Sequence, residues 1–128
     1  MNDQEFLRAF EQHTLTEFPH QSHIRMAWLY LRAYGPQEGQ ARIQQGIQDF
    51  AAAQGATRKY HQTITIFWSR LVQHVIDTHP DTDDFESVLT AFPPLLNPKS
   101  ISAHYSAALL QSETARHAWV EPDLQPMP

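Results

Sequence analysis

The stretch TEFPHQSHIRMAWLYLRAYG, residues 16–35, places two histidines three residues apart at the start of an apolar segment. If the segment is helical, this spacing puts His20 and His23 on neighbouring positions of one face. A third histidine, His61, precedes another apolar segment. Neutral imidazole is a common ligand of transition metals, and three histidines with one open position form a usual catalytic site for zinc, copper or iron. The elements must therefore bring these three of the chain's eight histidines together.

Turn and capping residues divide most of the chain into helices. Thr16 and Thr57 are suitable N-caps, whereas Gly35 and Gly55 supply left-handed stops at helix ends. In residues 57–79 apolar positions recur at helical spacing for about sixteen residues, which is longer than a typical strand. That length favours a helix, although the sequence TITIF within it is rich in β-branched residues. The sequence predicts four helices, over residues 2–13, 16–34, 36–54 and 57–79.

The C-terminal third is less periodic. Asp81 or Thr82 predicts the cap of a short helix, and residues 100–120 predict one or two further helices that wrap the bundle. Residues 121–128 contain three prolines, so we expect this tail to lie extended on the surface or to stay mobile. The prediction is an all-α, single-domain helical bundle over residues 1–120, with three core helices, flanking helices and an extended C-terminal tail. The expected core consists of Ile24, Trp28, Leu31, Ile47, Phe50, Phe67, Trp68 and Leu71.

Composition excludes several classes of function. The chain has 128 residues, 41% of them hydrophobic, which is enough to bury one core. Its net charge is -5 and no short window is rich in Lys or Arg, which argues against a nucleic-acid or anionic-membrane surface. Cysteine is absent, so disulfides, thiolate metal sites and a cysteine nucleophile are excluded. No apolar run approaches the roughly 20 residues that span a bilayer, and we expect a cytoplasmic protein.

The predicted connections bring the three histidines to one end of the bundle. Helices joined by short turns pack antiparallel, so the second and fourth predicted helices should run parallel and begin at the same end. His20 and His23 lie in the first two turns of one helix, and His61 lies near the start of the other. His74 lies ~20 Å from His61 along the same helix and cannot join them. Glu17, one turn before His20, would favour iron or manganese if it joined the rings.

Two other interpretations of the histidines remain open. Histidines at a helix start are often half-exposed polar residues with no further role. In addition, helix N-termini carry positive partial charge, which opposes a metal cation and favours an anion, and Arg58 and Lys59 add to that field. A pocket for an anionic small molecule is therefore the alternative to a metal site, with Arg58 or Lys59 and the histidines as donors. In the metal interpretation, Tyr60 or Thr65 would contact the ligating rings on the side away from the metal and help to hold them in place.

Three segments, FPHQSHIRMAWLYL, KYHQTIT and YSAALLQSETAR, resemble a group of small bacterial all-helical proteins. In that group the patterns F-x-H-x-x-H-x-R-x-A-W and K-Y-H-x-T-x-T recur, and the resemblance covers about residues 18–116. It selects His20, His23 and His61 from the eight histidines and implies a shared site. The group has no established activity, so the resemblance names no substrate. Its residue after K-Y-H is often acidic, whereas this chain has Gln62, so no carboxylate role is carried over there.

The sequence thus predicts one site and two classes of function. The first is a small metal-dependent enzyme acting on a small molecule, such as an oxygenase or hydrolase, with His20, His23 and His61 as ligands of zinc, iron or copper. The second is a non-catalytic binding or accessory protein whose pocket, at the same end of the bundle, holds an anion or a partner. Neither a pair of catalytic carboxylates nor a nucleophile motif accompanies the histidines, so the first class depends on the metal.

Overall fold

The protein is all-α, as predicted, and the computed structural model describes residues 1–128 without a strand. Three helices form the core: α1 (Asp3–Glu11), α2 (His20–Ala53) and α3 (Gln62–Thr78). Three short helices follow: α4 (Phe85–Ala91), α5 (Ala107–Leu110) and α6 (Glu113–His117). Single 3-10 turns occupy Thr57–Lys59, Pro93–Leu96 and Pro98–Ala103. None of the helices combines the length and apolar character needed to cross a membrane.

Helix α2 reverses direction at Gly35, where φ is 82° and ψ is 177°. A positive φ is accessible to glycine at little cost, and it separates α2 into two arms, residues 20–34 and 36–53. The arms pack tightly against each other, because a Cβ on Gly39 would lie only 2.8 Å from the Cα of Leu31. These arms correspond to the second and third predicted helices, and they form an antiparallel hairpin.

Helix α3 packs along this hairpin and completes the core. Near its start, Gln62 donates a hydrogen bond to Gln44 of the second arm at 3.0 Å, and further along Ser69 and Gln40 line one small cavity. Helix α3 therefore runs antiparallel to the second arm and parallel to the first. The buried core includes Phe6, Phe10, Ile24, Met26, Trp28, Leu31, Ile43, Phe67, Leu71, Val72 and Val75. Ile47, Phe50 and Trp68 of the predicted core are only half-buried, because they line cavities that open to solvent.

Helices α2 and α4, like α3, begin later than the sequence indicates. Helix α2 begins at His20, with Pro19 as its N-cap residue and no side-chain cap, instead of beginning after Thr16. Proline disfavours helical geometry in the residue before it, so Phe18 cannot belong to the helix and the start shifts past Pro19. Helix α4 has Asp84 as its N-cap instead of an earlier residue of the same acidic turn.

The C-terminal tail is extended, as expected, and specific hydrogen bonds hold it. The hydroxyl of Tyr105 donates to the carbonyl oxygen of Val120 at 2.7 Å. Further along, the carboxylate of Asp123 accepts hydrogen bonds from the backbone and the hydroxyl of Ser106, at 2.8 and 2.6 Å. These bonds attach the tail to the segment that wraps α3.

Candidate functional site

The three predicted histidine ligands, with Lys59, Tyr60 and Thr65, all line one cavity between α3 and the two arms of α2, whereas Glu17 and Arg58 do not. We call it the inner cavity; its volume is about 400 Å³. An outer cavity of about 440 Å³ adjoins it. The inner cavity is lined by His20, His23, Lys59, Tyr60, His61 and Thr65, with apolar walls that include Met26, Ile43, Ile64 and Trp68. Both cavities share Phe18, His23, Ile47, Lys59 and Tyr60, so together they form one cleft.

His61 is the N-cap of α3, a role that the sequence assigned to Thr57. Its Nδ1 accepts a hydrogen bond from the backbone N–H of Ile64 at 3.1 Å, and its Nε2 donates to the carbonyl oxygen of Leu110 at 2.7 Å. Only a neutral ring can accept and donate in this way, so these partners fix its tautomer. The residue is 8% exposed. Its ring therefore ties the start of α3 to α5.

The turn before His61 places Lys59 and Tyr60 at the cleft. Thr57–Lys59 forms a 3-10 turn, and Tyr60 then takes an extended conformation with φ −64° and ψ 136°. The guanidinium of Arg116 in α6 donates to the carbonyl oxygens of Arg58 and Tyr60, at 2.8 and 3.3 Å. Arg116 thus holds the turn by its backbone, a role that helical periodicity did not reveal. Lys59 is exposed, whereas Tyr60 is half-buried.

His20 has one ring nitrogen bonded and one free. Its Nε2 donates to the carbonyl oxygen of Leu95 at 2.8 Å, and the ring packs edge-on against Trp68 with centroids 4.5 Å apart. Because a carbonyl can only accept, the proton sits on Nε2 and the Nδ1 lone pair stays available. Burial lowers the pKa of His20, and the hydrogen bond to Leu95 offsets part of that effect. His20 therefore lines the cavity with one nitrogen left as a free acceptor.

His23 has no hydrogen-bond partner within the protein. Its ring lies against Phe18, with centroids 4.1 Å apart. Burial, and to a smaller extent repulsion by the protonated form of the nearby His20, together lower the pKa of His23 to about 4. Neither of its nitrogens is sealed off from solvent. At neutral pH the cleft therefore presents one donor and one acceptor from His23.

The three histidines share the inner cavity, but their nitrogens are not arranged around one point. No group of three or more His, Asp or Glu side chains is placed to hold a metal ion. The reason lies in His61, whose two nitrogens are both hydrogen-bonded within the protein. Glu17 is exposed and lines neither cavity. Ligation by all three rings would require His61 to give up the cap of α3 and the bond to Leu110.

The charges around the cleft are unbalanced. Lys59 is the one side chain lining either cavity that is charged at neutral pH, and no carboxylate lines them. The hydroxyls of Thr65 and Ser69 donate to carbonyl oxygens of α3 or its cap, at 2.8 Å each, and so offer only lone pairs to the inner cavity. The cleft thus combines apolar walls, neutral polar groups and a single cation at its rim.

Comparison of the chain with protein-family models, curated proteins and solved structures gave no match. The resemblance carried by the histidine patterns therefore stays a prediction. What the cleft does must be argued from its own side chains.

The low pKa of His23 predicts an acid-sensitive stability. Its folded pKa of about 4 lies below the reference value of 6.5, so between these pH values the unfolded chain binds more protons. Its contribution is fully present above about pH 6.5 and is lost as the pH falls toward 4. We expect His23 to account for about 2 kcal/mol of the loss in unfolding free energy between pH 7 and 5. Urea unfolding at both pH values measures this loss. Between pH 7 and 5 the unfolding free energy of His23→Phe should fall by about 2 kcal/mol less than that of the native protein, and an equal fall would contradict the low pKa of His23.

The two hydrogen bonds of His61 can be separated by substitution. His61→Ala removes the cap of α3 and leaves the carbonyl of Leu110 unpaired, so we expect the unfolding free energy to fall by about 2 kcal/mol. Asparagine is a good N-cap, but its shorter side chain cannot reach the carbonyl oxygen of Leu110 as the imidazole does. His61→Asn should therefore recover roughly half of that loss. His117→Ala, which removes an exposed pair with Glu113, is the control and should change little. Equal stability of the alanine and asparagine variants would refute the capping role.

Proposed function

We propose that the protein binds a small organic anion in the cleft. The observation that carries this proposal is the charge of the lining: Lys59 is its one cation, and no carboxylate opposes it. His20 and His23 stay neutral because burial disfavours their protonated forms. The anionic group of the ligand would pair with Lys59 at the rim, and its apolar body would lie between α3 and the arms of α2.

The helix ends support the same sign of charge. The first arm of α2 begins at His20 and α3 begins just after His61, so both helices present their N-termini at the cleft. Helix N-termini carry partial positive charge and stabilise anions. The volume of about 400 Å³ falls in the range of small-molecule pockets, roughly 300–1,000 Å³. A small-molecule ligand in the cytoplasm, rather than nucleic acid or a membrane, is part of this proposal and is consistent with the net charge of -5.

Substitution of Lys59 tests the anion. Isothermal titration with a panel of small carboxylates should find binding that weakens about tenfold or more in Lys59→Met and that also weakens with added salt. Arg58→Met is the matched control, because it removes the same charge one residue earlier but lines neither cavity. If both variants bind like the native chain, or if no carboxylate binds, the proposal is wrong.

A metal centre is the second candidate, and one observation favours it. The Nδ1 of His20 and the nitrogens of His23 lack protein partners and line the same cavity. These two neutral rings would supply ligands for zinc, iron or copper, and the metal would provide the Lewis acid of a small oxygenase or hydrolase. His61 would join only by giving up its hydrogen bonds, and the lining offers no carboxylate as a further ligand.

The metal candidate predicts a different pattern of variants. Zinc or ferrous iron, measured by elemental analysis after dialysis, should be retained by the native chain and lost in both His20→Phe and His23→Phe. His61→Asn should retain the metal if two rings suffice, whereas it should lose it if all three are ligands. Protons compete for neutral imidazoles, so retention should fall as the pH drops from about 7 to 5. Retained metal that is indifferent to the first two substitutions would exclude this site.

A further inference from the structure

We propose that the organic anion is a hydroxyaryl carboxylate, whose ring lies in the inner cavity and whose hydroxyl donates a hydrogen bond to His20 or His23. This inference rests on the proposed function, because it takes the carboxylate at Lys59 as given. It adds two requirements that a general anion site lacks: a planar ring and a hydrogen-bond donor at the far end from the carboxylate.

Aromatic side chains shape the space for the ring. Phe18, Tyr60 and Trp68 all line the inner cavity. Phe18 carries the ring of His23 on one side, and Trp68 meets the ring of His20 edge-on. Aromatic rings stack or meet edge to face with a preference beyond buried area alone. A planar ligand would therefore gain contacts that a saturated ligand of equal volume would not.

The polar groups in the inner cavity are short of donors. His20 offers only the Nδ1 lone pair, because its proton is bonded to the carbonyl of Leu95. Thr65 and Ser69 already donate to carbonyls and offer only lone pairs. His23 offers one acceptor and one donor. A ligand that fills the cavity takes water away from these lone pairs, and an acceptor left buried without a partner costs free energy. A ligand hydroxyl would supply the missing donor.

The hydroxyl of a phenol has a pKa of about 10, so it carries its proton at neutral pH before it binds. The hydrogen bond to the carbonyl of Leu95 leaves the Nδ1 of His20 as an acceptor for it. The hydroxyl thus stays protonated and acts as a donor. Lys59 is exposed and lines both cavities, so a carboxylate paired with it stays partly in water, whereas His20 lines the inner cavity alone.

Matched ligands test the two requirements on the native protein. Isothermal titration would compare para-hydroxycinnamate, cinnamate, para-methoxycinnamate and cyclohexanepropionate, which differ in the donor or in the ring. We expect para-hydroxycinnamate to bind about tenfold more tightly than cinnamate, because a site that pairs a hydroxyl discriminates against its absence. The methoxy compound, which cannot donate, should bind no better than cinnamate, and the saturated acid should bind most weakly. The absorption spectrum of bound para-hydroxycinnamate should remain that of the protonated phenol.

The variant His23→Phe keeps an aromatic ring against Phe18 and removes the nitrogens. The ratio of its affinities for para-hydroxycinnamate and cinnamate should fall from about ten toward one if His23 accepts the hydroxyl, and the same ratio should fall in His20→Phe if His20 accepts it. A ratio that stays near the native value in both variants would overturn the inference. His74→Phe, outside the cleft, is the control and should keep the preference.

Failure of this inference and failure of the proposed function give different results. Equal affinity for para-hydroxycinnamate and cinnamate in the native protein, equal affinity for cinnamate and the saturated acid, or a phenolate spectrum on binding would overturn the inference while leaving an anion site. Absence of binding by all four carboxylates would overturn both. The native-protein comparisons decide the question even if His23→Phe does not fold.

Discussion

The arrangement of the cleft depends on one imidazole that joins two distant parts of the chain. His61 caps α3 through Nδ1 and reaches the carbonyl of Leu110, 49 residues later, through Nε2. Arg116, on the helix that follows, holds the turn before His61 by two carbonyl oxygens. Lys59 lies in that turn, so the position of the one cation in the lining depends on hydrogen bonds from the C-terminal part of the chain. The sequence predicted His61 as a metal ligand, but in the structure the hydrogen bonds of His61 position its neighbours.

The free-energy cost of burying charge explains which polar groups in the cleft are neutral and which one is charged. Removing an ionised group from water is expensive unless it is paired, so groups in an apolar lining are stable there only when neutral. His20 and His23 meet this condition because burial keeps them unprotonated at neutral pH. Lys59 is exposed, so water solvates its ammonium group. The result is a gradient from a charged rim to a neutral interior, which favours a ligand with one anionic end and a less polar body.

Periodicity and turn chemistry were sufficient for the order of the main helices, and they placed the three histidines along one cavity but not around one point. The stops at Gly35 and Gly55 gave the antiparallel connections, and from these the common end of the first arm and α3 followed. The prediction that Thr57 caps α3 was wrong. Threonine is the better N-cap by propensity, but the chain first makes a 3-10 turn at Thr57–Lys59, and His61 then caps the helix.

Other parts of the site had little signal in the sequence. The backbone carbonyl of Leu95 accepts a hydrogen bond from His20 across 75 residues. Every residue has such a carbonyl, so residue type does not indicate which one will be the partner. One feature of the sequence pointed to Arg116, which ends the segment YSAALLQSETAR. Its contact with Arg58 spans 58 residues, however, and helical periodicity does not predict contacts at that distance.

These long-range bonds set the order in which the parts of the protein can assemble. The hairpin of α2 relies on contacts between near neighbours in sequence, such as Gly39 with Leu31, and such local contacts form fast. The walls of the cleft, by contrast, need Leu95, Leu110 and Arg116 to reach residues far upstream. We therefore expect a nascent chain that ends before Leu95 to form the hairpin first, with the apolar flank of α2 still uncovered and open to chaperones.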